Sequence, residues 1–170
     1  MEWISYIEQL KNQKLNYINR TVDMLCLGFG ENYIQKYKEG REYNVCEFRF
    51  HIQCTWRMIN CVNGKIAFAK EDIFEPKQKN LEENFEWDKK GNNLFDKKSE
   101  QWFQNWKEIY LEKILINERN DCKVYFSNGY ILEIFIDSSS DVECWRFIES
   151  CPNRNKKHFV ITGIGSNVKM

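Results

Sequence analysis

Apolar and polar positions alternate most regularly from Tyr43 to Arg57, where Cys46, Phe48, Phe50, Ile52, Cys54 and Trp56 interleave with Val45, Glu47, Arg49, His51, Gln53 and Thr55. A two-residue period sends successive side chains to opposite faces, so this run predicts a strand with one buried face. Asn63-Gly64 suits the positive φ angles of a tight turn and leads into Lys65–Lys70, which predicts a hairpin. A second hairpin is predicted where Cys122–Phe126 and Tyr130–Asp137 flank Ser127-Asn128-Gly129. In its second arm Tyr130, Leu132, Ile134 and Ile136 share one face, and Ile131 and Phe135 make the other apolar too, as in a strand covered on both sides.

The remaining segments read less sharply. Leu15–Phe29 turns apolar on both faces before Gly28-Phe29-Gly30 and is predicted to be one central strand. Glu31–Glu42 is polar and unpatterned, which predicts a connecting loop. Ile114–Ile116, Val142–Ile148 and His158–Ile164 read as strands, and Cys151–Asn155 as a turn. Helical spacing appears twice: in Glu2–Gln13 through Trp3, Ile4, Ile7 and Leu10, and after a capping Ser99 through Trp102, Phe103, Trp106, Ile109 and Tyr110. Pro76 ends the sheet run before it, because proline has no amide hydrogen for a ladder. Lys77–Lys98 then reads as a polar surface excursion held down by Phe85, Trp87, Leu94 and Phe95. The sum is an α+β fold, mostly antiparallel hairpins with about two helices packed on the sheet, in one domain spanning residues 1–170.

Composition narrows the partners. The 25 basic and 25 acidic residues cancel, so no global field steers the chain toward nucleic acid or an anionic membrane, and neither is expected as a partner. No apolar run approaches the roughly 20 residues that span a bilayer, and no basic-then-apolar leader opens the sequence, so a soluble, unexported protein is expected. The seven cysteines form an odd set without a CxxC pair. Most sit in apolar strand patterns, where a thiol acts as a small hydrophobe, and a reducing cytoplasm is the expected compartment.

Trp-Arg occurs twice, at Trp56-Arg57 and Trp145-Arg146, each just behind a cysteine. An arginine beside an indole holds carboxylate or phosphate through its planar fork, so Trp56, Arg57, Glu143, Trp145 and Arg146 are candidate ligand-binding residues if the two elements converge. In the alternative, each tryptophan plugs the core and each arginine pairs with an acid such as Asp72 or Glu143. A second candidate surface, for a protein partner, is the acidic and aromatic stretch containing Trp87, Asp88 and Phe95. Asp137-Ser138-Ser139-Ser140-Asp141 is similar to the D-x-S-x-S cation loop of von Willebrand-type domains. It ends in Asp141 instead of serine, however, and follows a hairpin strand, so it reads as a solvated turn. His51 and His158 are the only histidines and show no metal-ligand spacing, which leaves open a pairing of His158 with Cys144 or Cys151. There is no glycine-rich phosphate loop, G-x-S-x-G elbow or paired-carboxylate signature. No catalytic residue, metal or cofactor is therefore predicted.

Taken together, Asp23-Met24, Phe29-Gly30, Phe50 to Arg57, Asp72 to Pro76, Glu143-Cys144-Trp145-Arg146 and His158-Phe159-Val160 resemble a family of small, uncharacterised bacterial proteins. Its hallmarks are a Cys-x-Trp-Arg element at a strand end and a later Glu-x-Trp-Arg element. The resemblance implies a bacterial, cytoplasmic protein and brings no activity. The functional expectation is a non-catalytic protein-binding module, with an immunity or accessory role in a bacterial toxin or conflict system as one form. The alternative is a small anionic-ligand binder, or an enzyme, with its pocket around the two Trp-Arg elements.

Overall fold

The computed structural model describes residues 6–36, 40–78, 85–150 and 157–169. In chain order these form β1 (Leu15–Thr21), β2 (Met24–Lys36), β3 (Glu42–Ile52), β4 (Thr55–Asn60), β5 (Ile66–Ala69), a 3-10 turn at Lys70–Ile73, helix α1 (Leu94–Gln104), β6 (Leu111–Ile116), β7 (Cys122–Phe126), β8 (Tyr130–Phe135), β9 (Glu143–Glu149), β10 (Lys157–Thr162) and β11 (Gly165–Lys169). All strand pairs are antiparallel. They make a six-stranded sheet ordered β1-β2-β3-β9-β10-β11 and a five-stranded sheet ordered β5-β4-β8-β7-β6. The fold is α+β and mostly antiparallel, as the alternating pattern predicts.

One buried cluster is shared by the two sheets. Leu27, Phe29, Phe48, Phe50, Trp145 and Phe147 supply it from the first sheet, and Trp56, Met58, Phe68, Phe126, Leu132 and Ile134 from the second. Phe29 and Phe126 stack across the gap with ring centroids 6.5 Å apart. Helix α1 adds Phe95, 5.4 Å from Trp56, and Trp102, 5.9 Å from Phe126. Each such ring contributes about 2–3 kcal/mol through the apolar area it removes from water. The aromatic surplus of the sequence is therefore largely core.

Several expectations need correction. The run from Tyr43 to Arg57 is two strands. At the corner, the backbone N–H groups of Gln53 and Cys54 both donate to the carbonyl of Cys144, at 2.8 and 3.0 Å, and the chain passes from the first sheet to the second. The side-chain period runs on through the corner, so it does not register the change of sheet. Leu15–Phe29 is a hairpin turning at Val22-Asp23, with Thr21 opposite Met24. The turn is hidden because Val22 adopts φ 58°, a left-handed conformation that β-branched residues rarely take.

Glu31–Glu42 is no loop. After a bulge at Gly30 (φ 78°), β2 runs to Lys36 and pairs with β3 from Glu42. Helix α1 starts five residues before Ser99: the Asn93 side chain accepts from the Asp96 N–H at 2.8 Å, and Ser99 is buried inside the helix. Trp106, Ile109 and Tyr110 follow the helix instead of extending it. The last predicted strand, His158–Ile164, is β10, and the chain turns back from it into a further strand, β11. Of the expected helix over Glu2–Gln13, residues 6–8 are helical and 9–12 form turns, with Ile7 and Leu10 buried; Trp3 and Ile4 lie outside the described residues, as does the turn expected at Cys151–Asn155.

Candidate functional site

The two Trp-Arg elements share a core and part company at its surface. Trp56 and Trp145 are fully buried. The Trp145 indole N–H donates to the carbonyl of Asn120 at 3.1 Å, whereas that of Trp56 has no acceptor among the described residues. Alternation then sends each following arginine to the outer face of its own sheet, and these are different sheets. Arg57 donates through Nε to its cross-strand partner Glu133 at 2.7 Å and lies 5.2 Å over the Phe135 ring; Lys123 reaches the other Glu133 oxygen at 2.7 Å. Burial pushes the Glu133 carboxyl up, but the hydrogen bonds and charges of Lys123 and Arg57 outweigh it and hold it below the ordinary value.

Arg146 pairs with Glu143 through Nε and, at 2.6 Å, through Nη2, while Gln53 donates to the same carboxylate at 3.1 Å. Asp72 takes neither arginine; it accepts from Lys98 at 3.1 Å and from the Ala69 N–H at 3.0 Å. The five candidate ligand residues thus do not converge on one pocket: Glu143 and Arg146 meet, and Arg57 lies on the other sheet.

The candidate partner stretch is largely folded in. Phe95 is fully buried, and half-buried Trp87 packs on Phe74 at 5.0 Å. The Asp88 carbonyl accepts from Arg20 at 3.3 Å. Arg20 also grips Asp96 with two 2.8 Å hydrogen bonds, in a pair whose side chains are only 4% and 13% exposed. A groove of about 380 Å³ between β1 and α1 opens over this pair, whose fork is already in use.

The Asp137–Asp141 loop behaves as a turn. Asp137 accepts from the Thr55 N–H at 2.8 Å and its hydroxyl at 2.6 Å, and Ser138 and Ser140 bond each other at 3.0 Å. Among the described residues no group of three or more His, Cys, Asp or Glu is placed to hold a metal ion. His158 pairs across the sheet with Ile148, four residues along β9 from Cys144, a separation of about 13 Å; Cys151 lies outside the described residues. Burial pushes the Cys54, Cys122 and Cys144 thiols up, away from the reactive thiolate.

Two features escape a reading by motif. The first is a polar array on the outer face of the six-stranded sheet. Register aligns Tyr17, Gly28, Arg49, Ile148 and His158 in one row and Cys26, His51 and Arg146 in the next. Gly28 is essential to it. A Cβ there would fall 2.1 Å from the Tyr17 ring and 2.7 Å from the Cys46 sulfur, so glycine alone lets the ring lie flat beside Arg49. Burial, then the neighbouring Cys46, pushes the Tyr17 phenol up to about 12. Burial, aided by Arg49 and Arg146, lowers His51 to about 4. Arg49 donates from Nη2 to the Ser150 hydroxyl at 2.8 Å, and its Nε is enclosed without a partner among the described residues. Arg49 and His51 on one strand face were readable from spacing; the clearing made by Gly28 was not.

The second is a ribbon. β1 pairs with β2 only as far as Phe29, and β9 reaches β3 only as far as Phe48. Asn32–Lys36 against Glu42–Cys46 is therefore two-stranded, with no third strand beside it among the described residues. Ile34 and Tyr43 are 68% and 46% exposed on its opposite faces.

No helix among the described residues is long and apolar enough to cross a membrane. No family model, curated protein or solved structure matches the chain. The resemblance carried by the two Trp-Arg elements therefore assigns no family.

Proposed function

We propose that this chain is a non-catalytic, cytoplasmic protein-recognition module whose contact element is the distal β2–β3 ribbon. One observation carries the reading: a two-stranded ribbon leaves the sheet and exposes Ile34 and Tyr43. Outer edges of a ribbon offer backbone donors and acceptors to an added strand, and isolated ribbons are marginal in water without such a neighbour. The partner is accordingly a protein presenting an extended segment, and an immunity or accessory role toward a bacterial toxin is one concrete form. Balanced charge favours a protein over nucleic acid or a membrane surface.

The test is capture by the tagged chain from its host's lysate, with intact-mass analysis of what stays bound through a sizing column. A single stoichiometric protein is expected, lost in an Ile34→Asp/Tyr43→Asp double variant whose melting temperature is unchanged. A chain that emerges alone, or a partner the double variant still holds, overturns the reading.

A further inference from the structure

We propose that the outer face of the six-stranded sheet carries an oxyanion-binding site centred on Arg49, with Tyr17 and His51 as flanking donors and a carboxylate or phosphate group as ligand. The first ground is a comparison within the molecule. Four arginines among the described residues are half-buried: Arg20, Arg49, Arg57 and Arg146. Three of them hold a carboxylate, in Asp96, Glu133 and Glu143 respectively. Arg49 has none within 4.0 Å among the described residues, although a guanidinium withdrawn from water needs a compensating charge as much as the others do.

The nearby acids on that face do not fill the role. Glu143 is taken by Arg146 and Gln53, and the Glu47 carboxylate turns toward Gly30, 2.9 Å from where a side chain there would begin.

The second ground is that the fork is held and one side is open. Buried Ser150 fixes Nη2, and its own N–H is anchored on the carbonyl of Glu47 at 2.7 Å. Nε is sealed without a partner among the described residues, which leaves Nη1, outside the buried unpaired atoms and without a hydrogen bond to the described residues, as the donor on the accessible side. A planar guanidinium oriented this way suits two oxygens of one ligand group. Tyr17, lying over Gly28, adds a phenol that stays protonated through the physiological range, and His51 adds a ring that is neutral there and able to donate one N–H. Donors surround the site and no carboxylate among the described residues answers them.

The experiment follows the Arg49 Nε–H and His51 ring resonances in nitrogen–proton spectra of the full chain. Inorganic phosphate is titrated in one arm and acetate in the other, with sodium chloride at matched ionic strength as reference. Saturable shifts at these two residues are expected, and the arm that saturates at lower concentration names the ligand chemistry. Arg49→Met abolishes the saturation, Arg57→Met on the other sheet leaves it, and Tyr17→Phe weakens it about fivefold, the weight of one hydrogen bond. Should Arg49→Met fail to fold, Tyr17→Phe carries the test, since it removes only a hydroxyl. Shifts that grow linearly, that chloride reproduces, or that survive these substitutions unchanged overturn the proposal.

Discussion

The outer faces of the two sheets start from the same alternation and end in opposite electrostatic states. On the five-stranded sheet, register sets Glu133 between Arg57 and Lys123, so a row across three strands reads plus, minus, plus around one buried carboxylate. On the six-stranded sheet Arg146 has Glu143, but register sets Arg49 between Gly28 and Ile148, and no carboxylate among the described residues pairs with it. A face closed by its own counter-charges is built for stability. One that buries a cation without them is built around something else.

The largest expected effect marks what full compensation is worth when it is buried. Asp96→Ala strands Arg20 and should cost about 3–5 kcal/mol in denaturant unfolding. Next comes a pH test that separates the faces. His51 titrates near 4 in the folded chain against 6.5 when unfolded, so the unfolded state binds the extra proton as pH falls between those values. Stability should therefore drop across that window by about 2 kcal/mol, allowing for partial solvent screening, and His51→Gln should flatten the drop.

Glu133, whose folded value is depressed, stabilises the fold above its unfolded value and loses that contribution only as pH falls through the lower folded one. Glu133→Gln should thus alter the acid limb from the ordinary carboxylate value of 4.5 downward, at the acid end of the His51 window, and leave the rest of that window. At neutral pH, Glu133→Ala should cost about 1–2 kcal/mol, with its cations half-exposed, whereas Arg49→Met should leave stability unchanged or slightly higher. An Arg49→Met variant less stable than Glu133→Ala would break the comparison. The smallest effect concerns turns: β4 and β5 join through Gly64 at φ 68°, while β1 and β2 join through Val22 at φ 58°. Val22→Asn should raise the melting temperature, through about 1 kcal/mol of relieved backbone strain.

What could be read from the sequence follows what each signal measures. The β7–β8 and β4–β5 hairpins were legible because alternation and turn chemistry agree there. The β2 arm of the ribbon was not, because Glu31–Lys36 buries no residue and so has no hydrophobic period to show. Val22 conceals a turn behind a strand-forming side chain, and Asn93 capped α1 where Ser99 was the more obvious candidate. At the site, Trp56 and Trp145 were legible as anchors. That their arginines diverge depends on which sheet each strand joins, and pairing between distant segments leaves no local trace.

The order of strands has a consequence for synthesis. The five-stranded sheet is drawn from one unbroken stretch, Thr55–Phe135, whereas the six-stranded sheet is interrupted by it, with β1–β3 made first and β9–β11 last. On a translating ribosome, β3 waits with its apolar face and one free edge until Glu143–Glu149 emerge, an interval of several seconds at ordinary elongation rates. A nascent chain stalled before Glu143 should therefore bind holdase chaperones through Cys46–Ile52 and release them once β9 is out.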